Sequence, residues 1–271
     1  MLNPLQSSLL PPSTQGSSCL RVATYNIHKG VRGMGPTKRL EIHNLGLAVE
    51  ALDADIVCLQ EVRRYHEAES RRFSRTQFGH LGWPQAPQAD YLAPEGYEVA
   101  YCTNAVTRGG EHGNALLARW PLGDIGHHDV SDHRFEQRGL LHVQIDVDGR
   151  MVHAIVLHLG LIKGSRVRQI AQLKDFIDRE IPPEEALIVA GDFNDWGARM
   201  RYAMNAMGLR DSNDLRGPPT LTYPSRVPVA QLDFIYARRL TPAACSVPRG
   251  PIWARMSDHL PLLTDFVLSQ S

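Results

Sequence analysis

The sequence predicts an α/β (α+β) fold built on mixed rather than purely parallel β-sheets. Three observations lead there. Short apolar runs rich in β-branched residues recur along the chain, and residues 186–190, reading A-L-I-V-A before Gly191, are the plainest. Two such runs flank Asp148-Gly149, a hairpin turn signal that requires antiparallel neighbours. Amphipathic helical stretches separate only some of the runs, so the order is not a βαβ repeat.

Residues 1–19 are rich in Ser, Pro and Gln and lack the positive start and apolar run of a secretory signal. They are expected to be a disordered tail, with residues 20–271 forming one domain. A first strand covers about residues 20–27, followed by a glycine-bearing loop from His28 to Pro36. Residues 37–51 read as a helix, because Leu40, Leu45, Ala48, Val49 and Leu52 make an apolar stripe at helical spacing. Asp53 and Asp55 punctuate the passage from this helix into a second strand, within residues 54–61, that ends on Glu61. Residues 62–95 are irregular and carry Arg63, Arg64, Arg71, Arg72 and Arg75 among glycines and prolines. A structureless loop this long is uncommon unless functional or disordered. It reads either as an arginine-bearing flap over an anionic substrate or as a solvated, partly helical excursion. Strands return at residues 97–102 and 114–119, then as the hairpin of residues 138–147 and 151–159. A helix over residues 165–179 places Val167, Ile170, Leu173 and Ile177 on one face, with Phe176 beside them. Met200, Ala203, Met204 and Met207 belong to a further helix, and residues 231–236 form another strand.

The chain has 271 residues, 43% hydrophobic and 21% charged, which suffices for a sizeable core. Its formal net charge is zero, so no overall basic field draws it to nucleic acid or to an anionic membrane. Cys19, Cys58, Cys102 and Cys245 show no paired metal spacing, and Cys58 reads as a buried thiol. Scattered cysteines suit a reducing compartment, so a cytoplasmic location is expected. No apolar run approaches the roughly 20 residues of a membrane helix. There is no G-x-S-x-G, and Gly109 to Gly113 lacks the Lys-Ser/Thr pair of a phosphate-binding P-loop.

Six strand-like runs each deliver a polar group of a catalytic type. Residues 186–190 lead to Asp192, Asn194 and Asp195; others end on Asn26, Glu61 and His158, one contains Asp233, and S-D-H-L-P-L presents Asp258 beside His259. Polar groups at strand exits lie at the rim of a sheet, where α/β folds bind ligands. An Asx-rich turn explains any one of them; six in one chain point to a shared site. Glu61, Asp258 and the Asn26 amide oxygen are hard ligands suited to Mg²⁺ or Mn²⁺. Asp233 lies in an apolar strand and needs a partner, for example a structural arginine such as Arg238 or Arg239.

Read in order, Y-N-I-H-K-G, L-Q-E-V, G-N-A-L-L-A-R, L-H-L-G-L, G-D-F-N-D-W, L-D-F-I-Y and S-D-H-L-P-L resemble the endonuclease/exonuclease/phosphatase superfamily. Their wording is similar to a small bacterial subgroup often encoded beside cardiolipin synthase. The resemblance implies a four-layer sandwich, two facing mixed sheets with helices outside. It makes Glu61 the principal Mg²⁺ or Mn²⁺ ligand, with Asn26 and Asp258 contributing. It gives Asp192 or the His259–Asp233 pair the task of activating water. Asn194 would donate to a phosphoryl oxygen and His158 would contact the phosphate or the leaving group. Lys29, Asn114 and Arg138 are expected at the substrate. The implied activity is metal-dependent hydrolysis of a phosphodiester, with a nuclease as the first expectation. A phospholipid-headgroup phosphodiesterase or phosphatase is the alternative, and a non-catalytic binding protein the third. The partner is then a phosphoester, whether nucleic acid, phospholipid or phosphorylated small molecule, with no obligate protein partner.

Overall fold

The computed structural model describes residues 19–74, 82–133, 136–197, 199–214 and 220–268. The expected tail falls on residues 1–18, outside the described residues, while Cys19 opens the first strand. The first half of the chain runs β1 (Cys19–Asn26), β2 (Val31–Arg32), β3 (Arg39–Leu40), α1 (Ile42–Leu52), β4 (Ile56–His66), α2 (Glu67–Phe73), α3 (Gln88–Leu92), β5 (Glu98–Thr107), β6 (Gly110–Ala118) and β7 (Leu122–Asp129). The second half runs β8 (Gly139–Val147), β9 (Arg150–His158), α4 (Lys163–Glu180), β10 (Ala186–Asp192), α5 (Arg201–Ala206), β11 (Arg210–Asp211), β12 (Asp233–Arg238), β13 (Thr241–Ser246), α6 (Trp253–Met256) and β14 (Leu262–Val267).

Among the described residues two six-stranded sheets form, ordered β13-β14-β1-β4-β6-β5 and β11-β12-β10-β9-β8-β7. Each is antiparallel except for one central parallel pair, β1 with β4 and β9 with β10. A helix bridges each parallel pair, α1 in the first sheet and α4 in the second. Alternation along the strands then builds three apolar layers. Leu20, Val22, Ile56 and Cys58 of the first sheet meet Val156, Ile188, Ala190 and Ile235 of the second. On the outer faces, Tyr25, Val57 and Leu59 pack against Leu45 and Val49 of α1, and Leu157, Val189 and Phe234 against Ile170 and Leu173 of α4. The result is the expected four-layer sandwich.

Several local expectations need correction. The helix expected over residues 37–51 starts only at Ile42, because Arg39 and Leu40 pair with Arg32 and Val31. Residues 62–95 are not a structureless loop, since β4 continues to His66 and α2 and α3 follow, although residues 75–81, Arg75 among them, lie outside the described residues. Val167 is exposed rather than part of the α4 core face. The strands β7 and β13 were not legible: β7 is an edge with many polar and exposed positions, and β13 is an edge carrying Pro242. The hairpin turn is as expected, with Asp148 and Gly149 both at positive φ.

Gly191 shows how tightly the site-bearing strands are packed. A Cβ placed there would lie 1.9 Å from the carbonyl oxygen of Leu157 on the parallel neighbour β9. By contrast, a Cβ on Gly46 within α1 would meet nothing closer than the Tyr91 ring at 3.9 Å. Gly191→Ala is therefore expected to cost about 3 kcal/mol or more of unfolding free energy. Gly46→Ala should add up to about 1 kcal/mol, as a helix-interior glycine replaced without a clash. Urea unfolding of the two variants checks this, and an unchanged Gly191→Ala contradicts the close approach.

Candidate active site

The same two-residue period that fills the space between the sheets places the polar groups at its mouth. Val156 and Ile188 face between the sheets, and two residues beyond Val156 comes His158. Asp192 follows Ala190 in the same way, and Asp233 precedes Ile235. Register puts the three in one row, with Asp192 opposite His158 on one side and Asp233 on the other. Asn26 ends β1 on the facing sheet, two residues past Thr24 and four past Val22.

Asp192 is the shared point of contact. It is 1% exposed. Its Oδ2 accepts from Asn26 Nδ2 at 3.0 Å, a hydrogen bond between the two sheets. Its Oδ1 accepts from the Asn194 backbone N–H at 2.9 Å, so the Asx turn weighed from the sequence does form here. His158 Nε2 and His259 Nε2 lie 3.5 and 3.6 Å from the same Oδ2. Asn194 Nδ2 donates to the Leu159 carbonyl at 2.9 Å, which leaves one of its two N–H groups uncommitted. Asp195, by contrast, accepts from the Met200 N–H and serves the backbone.

Asp233 pairs with His259 and not with Arg238 or Arg239. Its Oδ2 lies 2.8 Å from His259 Nδ1, both side chains being buried. Burial works to lower the His259 imidazolium, but Asp233 and Asp192 outweigh it and push it up to about 10. Burial raises the Asp192 carboxyl above the ordinary carboxylate range, and the opposing pull of His259 and His158 does not cancel it. Burial, with Arg138 nearby, lowers His158 to about 4. At neutral pH the site therefore holds a charged His259 and a neutral His158.

Glu61 reaches the site through a break in its strand. Val57 and Leu59 point toward the helices, so a regular strand would send Glu61 the same way. A register shift between Leu59 and Val62, with Glu61 at φ 56°, redirects it instead. Its Oε2 is 3.0 Å from Lys29 Nζ and 4.0 Å from His28 Nδ1. Burial would raise this carboxyl, but His158 when protonated, Lys29 and His28 bring it well below the usual range. Asp258 meets the same His28 Nδ1 at 3.3 Å. His28, Lys29, Glu61 and Asn194 are four of the seven described non-glycine residues at positive φ. Each conformation costs of order 1 kcal/mol, and such strain gathers at functional sites.

The donor set suits a hard divalent cation. Glu61, Asp258 and Asn26 contribute oxygen atoms around His28, whose N–H donates to Asn26 Oδ1 at 3.0 Å. Among the described residues the buried Glu61 Oε2 has the Lys29 ammonium as its near partner, which a bound cation would displace. A second cluster, Asp192, Asp233 and His259, brings one donor atom from each within 4.8 Å of the others. There Asp233 and His259 are already hydrogen-bonded to each other, which favours acid–base work over metal binding.

Arg138 sits beside His158 and is tied to Glu136 at 3.2 Å. Asn114 is buried, and its amide donates to the carbonyls of Gly139 and Val156 at 3.0 and 3.1 Å. It ties the sheets together next to His158 rather than facing outward. Sequence reasoning passed over His28, Ser257 and Tyr223. Ser257 Oγ donates to the Asn26 carbonyl at 2.7 Å, and the Tyr223 ring centroid lies 4.9 Å from that of His259. Only the position of His28 and Ser257 inside the N-I-H-K-G and S-D-H motifs pointed to them.

A sequence profile described as the endonuclease/exonuclease/phosphatase family matches residues 23–259. The chain belongs to the endonuclease/exonuclease/phosphatase family. Members of the family are phosphoesterases, and the family generally uses divalent metals. The chain is 34% identical over 264 residues to the uncharacterized protein YbhP of Escherichia coli K12, covering 96% of this chain and all of that one. It is 33% identical over 184 residues to a sphingomyelinase C of Leptospira interrogans, covering 58% of this chain and 31% of that one. The crystal structure of an endonuclease/exonuclease/phosphatase from Beutenbergia cavernae superposes with a TM-score of 0.71 at 20% identity, covering 92% of this chain and 72% of that one. At that identity the structural likeness speaks for the fold of the family.

The His259 pair yields a titration test. By NMR without divalent metal, His259 is expected to titrate near 10, against an ordinary 6.5, and Asp233→Asn should bring it down. The raised value means that the pair's stabilisation is complete below 6.5 and is lost as pH rises through about 10. The stability gap between wild type and Asp233→Asn should therefore be widest in mild acid and narrow at alkaline pH. An ordinary His259 midpoint in the wild type contradicts the pairing.

Proposed function

We propose that the chain is a divalent-metal-dependent phosphodiesterase in which Asp192 activates water and the His259 imidazolium stabilises charge on the phosphate. The observation that carries this is the single buried carboxylate oxygen, Asp192 Oδ2, faced by Asn26, His158 and His259 from both sheets. Its raised affinity for a proton makes Asp192 a better base than an ordinary carboxylate. His259, protonated at neutral pH, is a donor and not a base there. Asp233 keeps its ring oriented through Nδ1, leaving Nε2 to face the reacting phosphate. Asn194 holds Asp192 in place and has one amide N–H left for a phosphoryl oxygen. Arg138 and His158 line the same mouth on the leaving-group side. Glu61, Asn26 and Asp258 would hold Mg²⁺ or Mn²⁺, which when bound polarises the phosphoryl group and stabilises the leaving oxygen.

Among phosphodiesters, a nucleic acid was the first expectation, and it drew on the arginines of residues 62–95. Three of those five have other partners: Arg63 is buried against Glu69, Arg71 pairs with Glu67, and Arg72 donates to the Gly35 carbonyl, while Arg64 is exposed 4.0 Å from Glu111 and Arg75 lies outside the described residues. The phospholipid-headgroup reading has a specific observation in its favour, since Leu161, Ile162 and Trp196 stand exposed just past His158 and Asn194. The likeness to a protein named sphingomyelinase C supports the same reading. We therefore place a lipid headgroup phosphodiester ahead of nucleic acid. The remaining expectation on location meets only one structural fact: among the described residues no helix is long and apolar enough to cross a membrane.

Hydrolysis of the soluble diester bis(p-nitrophenyl) phosphate tests the chemistry apart from the substrate class. EDTA should abolish it and Mg²⁺ or Mn²⁺ restore it. Glu61→Ala should lower turnover by about 10² or more while unfolding as cooperatively as the wild type. Asp233→Asn should lower turnover by about 10² to 10⁴, and Asp233→Asn with His259→Ala should be little worse than His259→Ala alone. Full activity in EDTA, or losses that multiply in the double variant, contradicts the assignment.

A further inference from the structure

We propose that the loops around the mouth of this site form a docking surface for an anionic lipid bilayer. The proposal rests on the phosphodiesterase reading, because docking would bring that site to its substrate.

Three loops at the mouth of the site carry large apolar side chains at their tips. Past His158, Leu161 is 68% and Ile162 56% exposed. This tip is held rather than loose: the Leu161 N–H donates to Glu136 Oε1 at 2.9 Å, and Arg166 donates to the Gly160 and Leu161 carbonyls. Past Asn194, Trp196 is 54% exposed and meets the Tyr223 ring edge-on at 5.7 Å, with Tyr223 in turn against His259. The third loop is closed by the bridge between Tyr223 and Ala230 and tied to the site by the Ser225 N–H on the Asp258 carbonyl at 2.7 Å. At its tip Val227 and Val229 are each 68% exposed. Single exposed apolar residues are ordinary on a soluble protein, but their concentration on the loops of one active-site rim is not.

The charge of the same rim identifies the occupant. Lys163, Arg199 and Arg226 are exposed beside these tips. Among the described residues, 159–174, 196–197, 199–210 and 220–232 contain no Asp or Glu, in a chain whose formal net charge is zero. Apolar tips flanked by exposed cations, with the neighbouring Glu136 and Asp132 paired to Arg138 and Arg168, suit insertion at the boundary between headgroups and acyl chains of an anionic leaflet. A nucleic acid would engage the cations and at most stack a base on Trp196, leaving the aliphatic tips Leu161, Ile162, Val227 and Val229 in water, where they contribute nothing to binding. The lipid surface is the occupant that uses both features.

Co-sedimentation of the full chain with vesicles tests the proposal. Vesicles of phosphatidylcholine mixed with phosphatidylglycerol should bind it at least about tenfold better than phosphatidylcholine alone. The combined variant Leu161→Ser, Ile162→Ser, Val227→Ser and Val229→Ser should lose at least about tenfold in vesicle binding. Its hydrolysis of bis(p-nitrophenyl) phosphate should stay within about twofold of wild type, since none of the four touches the reacting groups. Lys163→Glu with Arg226→Glu should remove the preference for anionic vesicles. Failure of the wild type to bind anionic vesicles, or full binding by the four-residue variant, overturns the proposal. So does an oligonucleotide that binds through these loops when vesicles do not. Absence of soluble-diester hydrolysis would instead sink the phosphodiesterase reading, so the two failures are distinguishable.

Discussion

The structure turns on one buried carboxylate. Asp192 ends the central strand of the second sheet, and its Oδ2 accepts a hydrogen bond from Asn26 at the end of a central strand of the first. A carboxylate removed from water is costly unless its surroundings compensate. Here the compensation comes from the backbone N–H of Asn194 in its own turn, and from one amide side chain and two imidazoles contributed by three other segments of the chain. Each of those segments is thereby fixed in register and depth. The site is therefore also the clamp that joins the two sheets at their open end, and Asn114 adds a second tie beside it.

Strand alternation supplies the rest. The face that contributes Val156, Ala190 and Ile235 to the shared core continues, at the next position of the same parity, into His158, Asp192 and Asp233. No loop rearrangement is needed to gather these groups, because the core and the site belong to one periodic face. Glu61 is the exception. It sits at the wrong parity, and a strained, left-handed backbone brings it in. Its placement beside Lys29 and His28, themselves at positive φ, concentrates the strain where a cation would bind.

Much of this was legible in the sequence, and the parts that were not have physical causes. Residues 186–190 and the hairpin of β8 and β9 could be read because they are buried on both faces or closed by a type of turn with its own residue signature. That Asp233 needs a partner could be read from its place between Leu232 and Phe234, and the family resemblance pointed to His259 as that partner. The edge strands β7 and β13 escaped because an edge has one neighbour and little reason to keep a clean pattern. The bulge at Glu61 leaves no mark in composition, so β4 was ended five residues early. Of the two readings open for residues 62–95, the partly helical one matches α2 and α3, and Glu67 and Glu69 of α2, which take two of the arginines, could not be seen as partners until the helix was known.

The account assigns water activation to Asp192 and a permanent positive charge at neutral pH to His259. The pH dependence of kcat/KM on a soluble phosphodiester, measured for wild type, Asp192→Asn and His259→Ala at saturating Mg²⁺, separates these roles most directly. The account predicts an acid limb set by a carboxyl above its ordinary range, an alkaline limb approaching the His259 value of about 10, and loss of the acid limb in Asp192→Asn with turnover down by about 10² or more. An acid limb that persists in Asp192→Asn and disappears in His259→Ala would show that the histidine is the base, and would contradict the account.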